Sequence, residues 1–247
     1  MRETIKSSFT RASATYDRLA YVQDHAAGQL ARMFREWAGK RRPGAVLEIG
    51  AGSGLLTRRL AELVPAGGYT ANDLTESFTA DYLRWGCVPL PGDASSIDLP
   101  GGQDAVVSSS CFQWIADLPV FFRKLYGCLN PDGLLCFSTF GPDNFYQVKE
   151  TTGSGLDYPA GEDIARMLQD AGFSAVVQRQ EKDMLYFASA LEMLRYFSGT
   201  GVNASGRSFW TPGRLTAFET TYRARYSPDG RLPLTVDYLW FSAVKKP

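Results

Sequence analysis

The sequence predicts a doubly wound α/β fold, a mostly parallel sheet with helices packed on both faces. Three observations carry this prediction. A short apolar burst at Val46, Leu47 and Ile49 runs into glycines at 50, 52 and 54, and then into Leu55–Leu63, whose leucines repeat at helical spacing. An acid, Asp73, closes a second strand-like burst about 20 residues beyond that turn. From there to residue 140, strand-like and helix-like segments alternate as a βαβ sheet requires.

Each element has its own local reason. Residues 1–40 read as helical, with Tyr21, Val22, Ala26, Leu30, Met33, Phe34 and Trp37 forming an apolar stripe, and Arg41-Arg42-Pro43-Gly44 ends the helix. The first strand has the unbroken apolar character of one buried on both faces. Tyr69–Asp73 is the second strand and Glu76–Arg84 its helix; Val88-Pro89-Leu90 is a short third strand ending near Gly92-Asp93. Asp104–Ser110 is the fourth, followed by a helix over Leu118–Leu129. Asn130-Pro131-Asp132-Gly133 has turn chemistry, and Leu134–Phe140 is the fifth strand. Residues 142–159 are polar, aromatic and glycine-bearing, which suits a connection near a binding site. A helix over Gly161–Ala171, a strand around 175–180, helices over about 188–198 and 211–225, and a last strand at Leu234–Val244 complete the chain. No linker or repeat interrupts it, so a single domain over 1–247 is expected.

Composition narrows the function class. The chain has 247 residues with 26 Lys+Arg against 26 Asp+Glu, so nothing global points to nucleic acid or an acidic membrane. Cys87, Cys111, Cys128 and Cys136 form no CxxC pair, and His25 is the sole histidine; buried reduced thiols are expected, and no metal site. The first residues lack the apolar core of a signal peptide, and no window approaches the roughly 18 apolar residues of a membrane span. The expectation is a soluble, cytoplasmic protein.

The glycine turn selects a ligand. A dinucleotide fingerprint needs a third glycine three places after the second, where this chain has Leu55, which disfavours a nicotinamide dehydrogenase. Gly50, Gly52 and Gly54 with Glu48 in the strand end instead resemble the first motif of class I S-adenosylmethionine (SAM) methyltransferases. There the glycines admit the methionine part of the ligand, and the acid suits its ammonium group. Asp73 can accept from both ribose hydroxyls, or act only as an acid at the start of the helix after Leu74. Asp93, before Ala94, can accept from an adenine amine, or simply hold a turn. Ser109 and Ser110, with Gln113 and Trp114 beyond them, end the fourth strand beside the first and can line a sulfonium pocket, although such aromatics are also common in cores. A chain this poor in histidine is compatible with a carboxylate acceptor, which is already ionised at neutral pH; an Asp, Glu or Tyr base stays open.

With these motifs placed, the whole chain resembles the malonyl-acyl carrier protein O-methyltransferases of biotin synthesis. The resemblance rests on Phe9-Thr10-Arg11-Ala12-Ser13-Ala14-Thr15-Tyr16-Asp17 with the later Gln23, on Leu47–Gly54, and on Asn72-Asp73-Leu74. It continues through Ser109-Ser110 with Phe112-Gln113-Trp114-Ile115, Phe137–Pro142, Thr200-Gly201-Val202-Asn203-Ala204 and Pro233–Tyr238. Two departures fall in the second half: Phe197-Ser198-Gly199 stands where the family often has a lysine, and Asn144–Val148 where it has Thr-Leu-x-Glu-Leu. The resemblance implies a seven-stranded Rossmann-like methyltransferase sheet with N-terminal helices and helical insertions before the last strand. Residues 1–42 would be a helical lid, 43–141 the cofactor-binding core and 142–247 the substrate half. It further implies SAM as cofactor, malonyl-acyl carrier protein as substrate, and Arg11 and Tyr16 closing over the site beside Gln113 and Trp114. An acidic carrier would dock on basic residues, for which Arg123, Lys124 and the arginines at 195, 207, 214, 223 and 225 are candidates. The alternatives are a SAM-dependent methyltransferase for a free small acid, and a non-catalytic or arginine-modifying SAM-fold assembly factor.

Overall fold

The computed structural model describes residues 19–39, 41–200, 210–227 and 230–246. In chain order the elements are α1 (Tyr21–Ala38), β1 (Val46–Ile49), α2 (Thr57–Leu60), β2 (Tyr69–Asp73), α3 (Thr79–Arg84), β3 (Val88–Pro91), β4 (Gln103–Ser109) and α4 (Leu118–Cys128). They continue as β5 (Leu129–Phe140), α5 (Tyr146–Thr152), α6 (Gly161–Asp170), β6 (Phe173–Phe187), α7 (Ala190–Gly199), α8 (Pro212–Tyr226) and β7 (Leu232–Lys245). The seven strands form one sheet in the order β3-β2-β1-β4-β5-β7-β6. The pairs β1–β2, β2–β3, β1–β4 and β4–β5 are all parallel. The chain winds outward from β1 to β3, then crosses back to β4, so the order reverses between β1 and β4. A crevice opens at the carboxyl ends of strands flanking such a reversal. None of the described helices is long and apolar enough to cross a membrane.

The chain divides into two compact units. The larger comprises Tyr21–Thr139, Pro159–Gln180 and Leu239–Pro247. All four β1 residues are buried, in register with Tyr69–Asn72 on one side and Ala105–Val107 on the other. The unit's core gathers Leu47, Ile49, Val106, Phe112, Phe122, Leu135, Phe137, Leu168 and Phe241. Phe137 lies 4.6 Å from Phe112 and 5.1 Å from Phe241, centroid to centroid. On α1 the stripe Val22, Ala26, Leu30, Met33 and Phe34 is buried as expected, while Tyr21 is exposed. Trp240 donates its indole N–H to the Ala26 carbonyl at 3.0 Å and meets His25 edge-on.

Some boundaries differ from the sequence reading, each for a local reason. The helix after the glycines starts at Thr57 rather than Leu55, because Gly52 and Gly54 hold positive φ and keep the preceding residues in the turn. Helix α3 starts at Thr79 rather than Glu76, because the Thr75 N–H donates to the Asp73 carboxylate instead of entering a helix. The turn at 130–133 sits inside β5: pairing runs Gln103↔Leu129 and resumes at Ala105↔Leu134. Asn130 Nδ2 donates to the Gly102 carbonyl and Asp104 Oδ1, both at 3.0 Å, and clips the excursion in place. Strand β6 is longer than foreseen, Phe173–Phe187 against 175–180.

The described part of the smaller unit comprises Leu19, Ala20, Phe140–Tyr158 and the segments of Glu181–Tyr238. Helices α7 and α8 start on side-chain caps: Ser189 accepts from Glu192 N–H, and Thr211 from Arg214 N–H with Pro212 next to it. Helix α5 was read as a connection. Its positioning is non-local: Gln147 donates to Thr235 Oγ1 at 2.7 Å and accepts from Thr235 N–H at 3.1 Å. Tyr222 of α8 donates to the Pro233 carbonyl at 2.6 Å. Asp237 is fully buried and accepts from Asp143 N–H at 3.2 Å.

Candidate active site

The site begins where β1 ends. The three glycines there do different work. A Cβ at Gly50 would lie 2.4 Å from Cys111 Sγ, and one at Gly54 would lie 2.3 Å from the Trp85 ring. Those two positions are glycine because neighbouring parts of the larger unit press against them. A Cβ at Gly52, with φ +54°, would meet nothing within 4 Å. Gly52 is therefore the glycine whose bare face is open toward a ligand.

Gly52 is held from both sides. Its N–H donates to Asp73 Oδ2 at 2.8 Å, and its carbonyl accepts from the Tyr82 hydroxyl at 2.5 Å. Asp73 ends β2 and also accepts at Oδ1 from Thr75 N–H (2.8 Å) and the Thr75 hydroxyl (3.1 Å). Burial raises the Asp73 pKa, and these N–H and O–H donors oppose the rise. Each carboxylate oxygen offers two lone pairs: Oδ1 already accepts two bonds, so Oδ2, which accepts one, keeps acceptor capacity for a ribose hydroxyl. Leu74, next in the chain, is half-buried.

Glu48 is placed differently from a ligand-facing acid. It is 1 % exposed, and its Oε2 accepts from the hydroxyls of Thr57 (2.6 Å) and Tyr69 (2.8 Å). Burial pushes its carboxyl up to about 7 despite those two donors. Glu48 thus ties β1 to α2 and β2 beneath the glycine turn.

At the end of β3, Asp93 Oδ1 accepts from Ser95 N–H at 2.9 Å and fixes the turn that carries Ala94. Lys124 of α4 donates to the carbonyls of Ala94 (2.8 Å) and Ile97 (2.5 Å). Lys124, a candidate docking cation by sequence, thus braces this turn. At the end of β4, Ser109 and Ser138 hydroxyls lie 3.2 Å apart, and Ser110 adopts φ +52°. The following 3-10 turn, Phe112–Trp114, buries Phe112 in the core and leaves Gln113 and Trp114 half-buried. Gln113 Nε2 donates to the Ser110 carbonyl at 2.7 Å, but Gln113 Oε1 and the Ser110 hydroxyl are buried with no hydrogen-bond partner among the described residues. Buried polar atoms are nearly always satisfied, so these two offer hydrogen-bonding capacity suited to a polar ligand.

The larger unit therefore brings together Gly52, Asp73, Asp93, Ser110 and Gln113 at the carboxyl ends of β1–β4, as the sequence placed them. Arg11, Tyr16 and Arg207 lie outside the described residues. Tyr69, Thr57, Tyr82, Trp85 and Cys111 were missed; nothing in the local sequence separates them from ordinary core residues. Among the foreseen docking arginines, Arg223 is held by Glu219 and by the Ala188 carbonyl at 2.8 Å, and Arg225 reaches the Glu150 carbonyl at 3.5 Å. Arg195 is exposed on α7.

This arrangement fits an adenosine-like ligand with a flexible polar tail: an open glycine face, a strand-end acid for vicinal hydroxyls, and orphaned polar atoms after β4. Known proteins agree. A family model described as a methyltransferase domain matches residues 47–135. The chain is 36% identical over 245 residues to a malonyl-(acyl-carrier protein) O-methyltransferase of Porphyromonas gingivalis, covering 98% of this chain and 95% of the relative. It is 34% identical to the protein of the same name from Prosthecochloris aestuarii, covering 94% and 89%. Among solved structures, the 1,6-didemethyltoxoflavin-N1-methyltransferase of Burkholderia thailandensis, bound to its substrate and S-adenosylhomocysteine, superposes with a TM-score of 0.58. That match covers 99% of this chain and 88% of that one at 19% identity, and so shows a shared fold. By its near full-length likeness to these relatives, the chain belongs to the malonyl-(acyl-carrier protein) O-methyltransferase family.

Proposed function

We propose that this protein is a SAM-dependent O-methyltransferase that methylates the free carboxylate of a malonyl thioester on acyl carrier protein, in the cytoplasm, as an early step of biotin synthesis. The observation that carries the reading is the family likeness spread over the whole chain, substrate half included, combined with a site whose open face is Gly52. SAM, when bound, supplies a methyl group on a positively charged sulfur. The chain's own residues bind and orient. Gly50, Gly52 and Gly54 shape the turn against which the methionine part lies. Asp73 accepts from the ribose hydroxyls, with Leu74 beside it, and Asp93 and Ala94 face the adenine. Ser109, Ser110, Gln113 and Trp114 line the wall nearest the reacting centre. Arg11 and Tyr16 are our candidates for closing over it and excluding water. Glu48 supports the turn from below.

The acceptor needs no general base, because a carboxylate is ionised at neutral pH. The chain's work is then positioning: an oxygen of the acceptor held in line with the methyl and the sulfur, in a dry pocket. Residues 142–247 form the half that receives the acceptor, and Arg195, exposed on α7, is our candidate contact for an acidic carrier.

The experiment is intact-protein mass spectrometry of malonyl-acyl carrier protein after incubation with SAM and this protein. Free malonate, malonyl-coenzyme A and aconitate run in parallel. A gain of one methylene on the malonyl carrier, reversed by ester hydrolysis, is expected. Methylation of a free acid alone, or of no acceptor while SAM binds, refutes the carrier assignment.

A further inference from the structure

We propose that the side-chain carbonyl of Gln23 accepts a hydrogen bond from the ammonium group of bound SAM, holding the amino-acid end of the ligand. The inference rests on the SAM reading above and assigns a residue to a part of the ligand that the glycine turn leaves without a charged partner. Glu48, the acid expected there, is 1 % exposed and engages the Thr57 and Tyr69 hydroxyls, so its carboxyl faces into the protein. An ammonium group carries three donors, and binding buries them, so acceptors must be supplied elsewhere in the larger unit.

Gln23 has the required property. It is 5 % exposed, and its Oε1 has no hydrogen-bond partner among the described residues. A buried amide oxygen left unsatisfied is costly, and a structure tolerates it where something else supplies the donor.

Its neighbour Asp24 is tied to the end of the glycine turn. Arg59 of α2 donates through Nη1 to the carbonyl of Leu55, the residue immediately after the glycine turn, and through Nη2 to Asp24 at 2.8 Å. Further along α1, Arg35 donates to the Arg59 carbonyl at 2.7 Å and lies 3.8 Å from Glu62. The Arg59 guanidinium thus joins Asp24, in the first turn of α1, to Leu55 just past the glycine turn. Gln23 adjoins Asp24 and heads the buried stripe Ala27, Leu30, Ala31 and Phe34. Helical side chains lean toward the helix N-terminus, so the Gln23 amide leans toward the start of α1, the end that Arg59 ties to Leu55.

The test is calorimetric binding of S-adenosylhomocysteine and of 5′-methylthioadenosine, which keeps the nucleoside and thioether but lacks the amino-acid end. Gln23→Ala should weaken S-adenosylhomocysteine by about 10- to 100-fold, the loss of a hydrogen bond to a charged group, and leave 5′-methylthioadenosine unchanged. Gln23→Glu, which keeps an acceptor and adds charge, should retain S-adenosylhomocysteine affinity. Unchanged S-adenosylhomocysteine binding in Gln23→Ala overturns the proposal. Equal losses for both ligands also overturn it, because they show a general disturbance of the site. A Gln23→Glu variant as weak as Gln23→Ala overturns the ammonium assignment and places the amide against the ligand carboxylate. Asp73→Ala separates the underlying reading from this one: it should weaken both ligands, and a wild-type protein that binds neither removes the SAM reading and the Gln23 role with it.

Discussion

Substituting alanine at Gly52 and at Gly50 should separate a ligand-facing glycine from a packing glycine. At Gly52 the added Cβ meets nothing within 4 Å, and the backbone is held by Asp73 Oδ2 at 2.8 Å and by the Tyr82 hydroxyl. The remaining cost is the left-handed φ of +54°, about 1–2 kcal/mol for an L-residue, partly offset by about 0.4–1 kcal/mol from a stiffer unfolded chain. A net loss near 1 kcal/mol lowers Tm by only about 2–4 °C in a chain of this length. At Gly50 the same strain adds to a Cβ placed 2.4 Å from Cys111 Sγ and 2.7 Å from Cys111 Cβ. Overpacking of that kind costs about 1–3 kcal/mol more, and Cys111→Gly in the same chain should recover part of it. Urea denaturation reads the stability, and titration calorimetry reads SAM affinity. Gly52→Ala should stay folded and lose at least about tenfold in affinity, equivalent to about 1.4 kcal/mol. A folded Gly52→Ala protein that binds SAM as the wild type does would refute the reasoning, because no ligand would then lie against that face.

Two further outcomes follow from the same geometry. The Glu48 carboxyl is pushed from its usual 4.5 to about 7, so between those values the folded state binds the extra proton. Its stabilising contribution is whole below pH 4.5 and is lost as the pH climbs through about 7, an effect on the order of 3 kcal/mol. Denaturation curves from pH 5 to 8 should show that slope in the wild type and a flatter one in Glu48→Gln; parallel slopes count against it. Among the arginines, Arg195→Glu should raise KM for the carrier-bound substrate and leave SAM affinity alone, an effect that fades as salt is added. Arg223→Glu should instead destabilise the fold, on the order of 2 kcal/mol, because Arg223 bonds Glu219 at 2.6 Å and the Ala188 carbonyl at 2.8 Å. Reversed roles for the two arginines would contradict the placement of the docking face.

Much of the site was legible because its residues sit at strand ends, where the chain itself sets position. Short apolar bursts located the strands and the helical period the helices between them, and a residue at the carboxyl end of β1, β2, β3 or β4 then lands at the same edge of a parallel sheet. Gly52, Asp73, Asp93, Ser110 and Gln113 were placed at that edge in this way. The partners of those residues were not legible. Tyr82 on the Gly52 carbonyl, Tyr69 on Glu48 and Lys124 on the Ala94 carbonyl are separated by 30, 21 and 30 positions in sequence. Helix α5 escaped for the same reason: its Gln147 bonds Thr235, 88 positions away.

The sequence alone determined the order of elements, the sheet class, the glycine turn and the strand-end acids, because these depend on neighbours within a few residues and on the pitch of helices and strands. Tertiary structure decided what each polar group has left to offer. Only packing shows that Glu48 is turned inward onto two hydroxyls, that Gly50 and Gly54 answer to Cys111 and Trp85 while Gly52 faces open space, and that Arg223 is bound while Arg195 is exposed. Hydrogen bonds and burial between distant segments fix which atoms remain available to a ligand, and no local pattern encodes them.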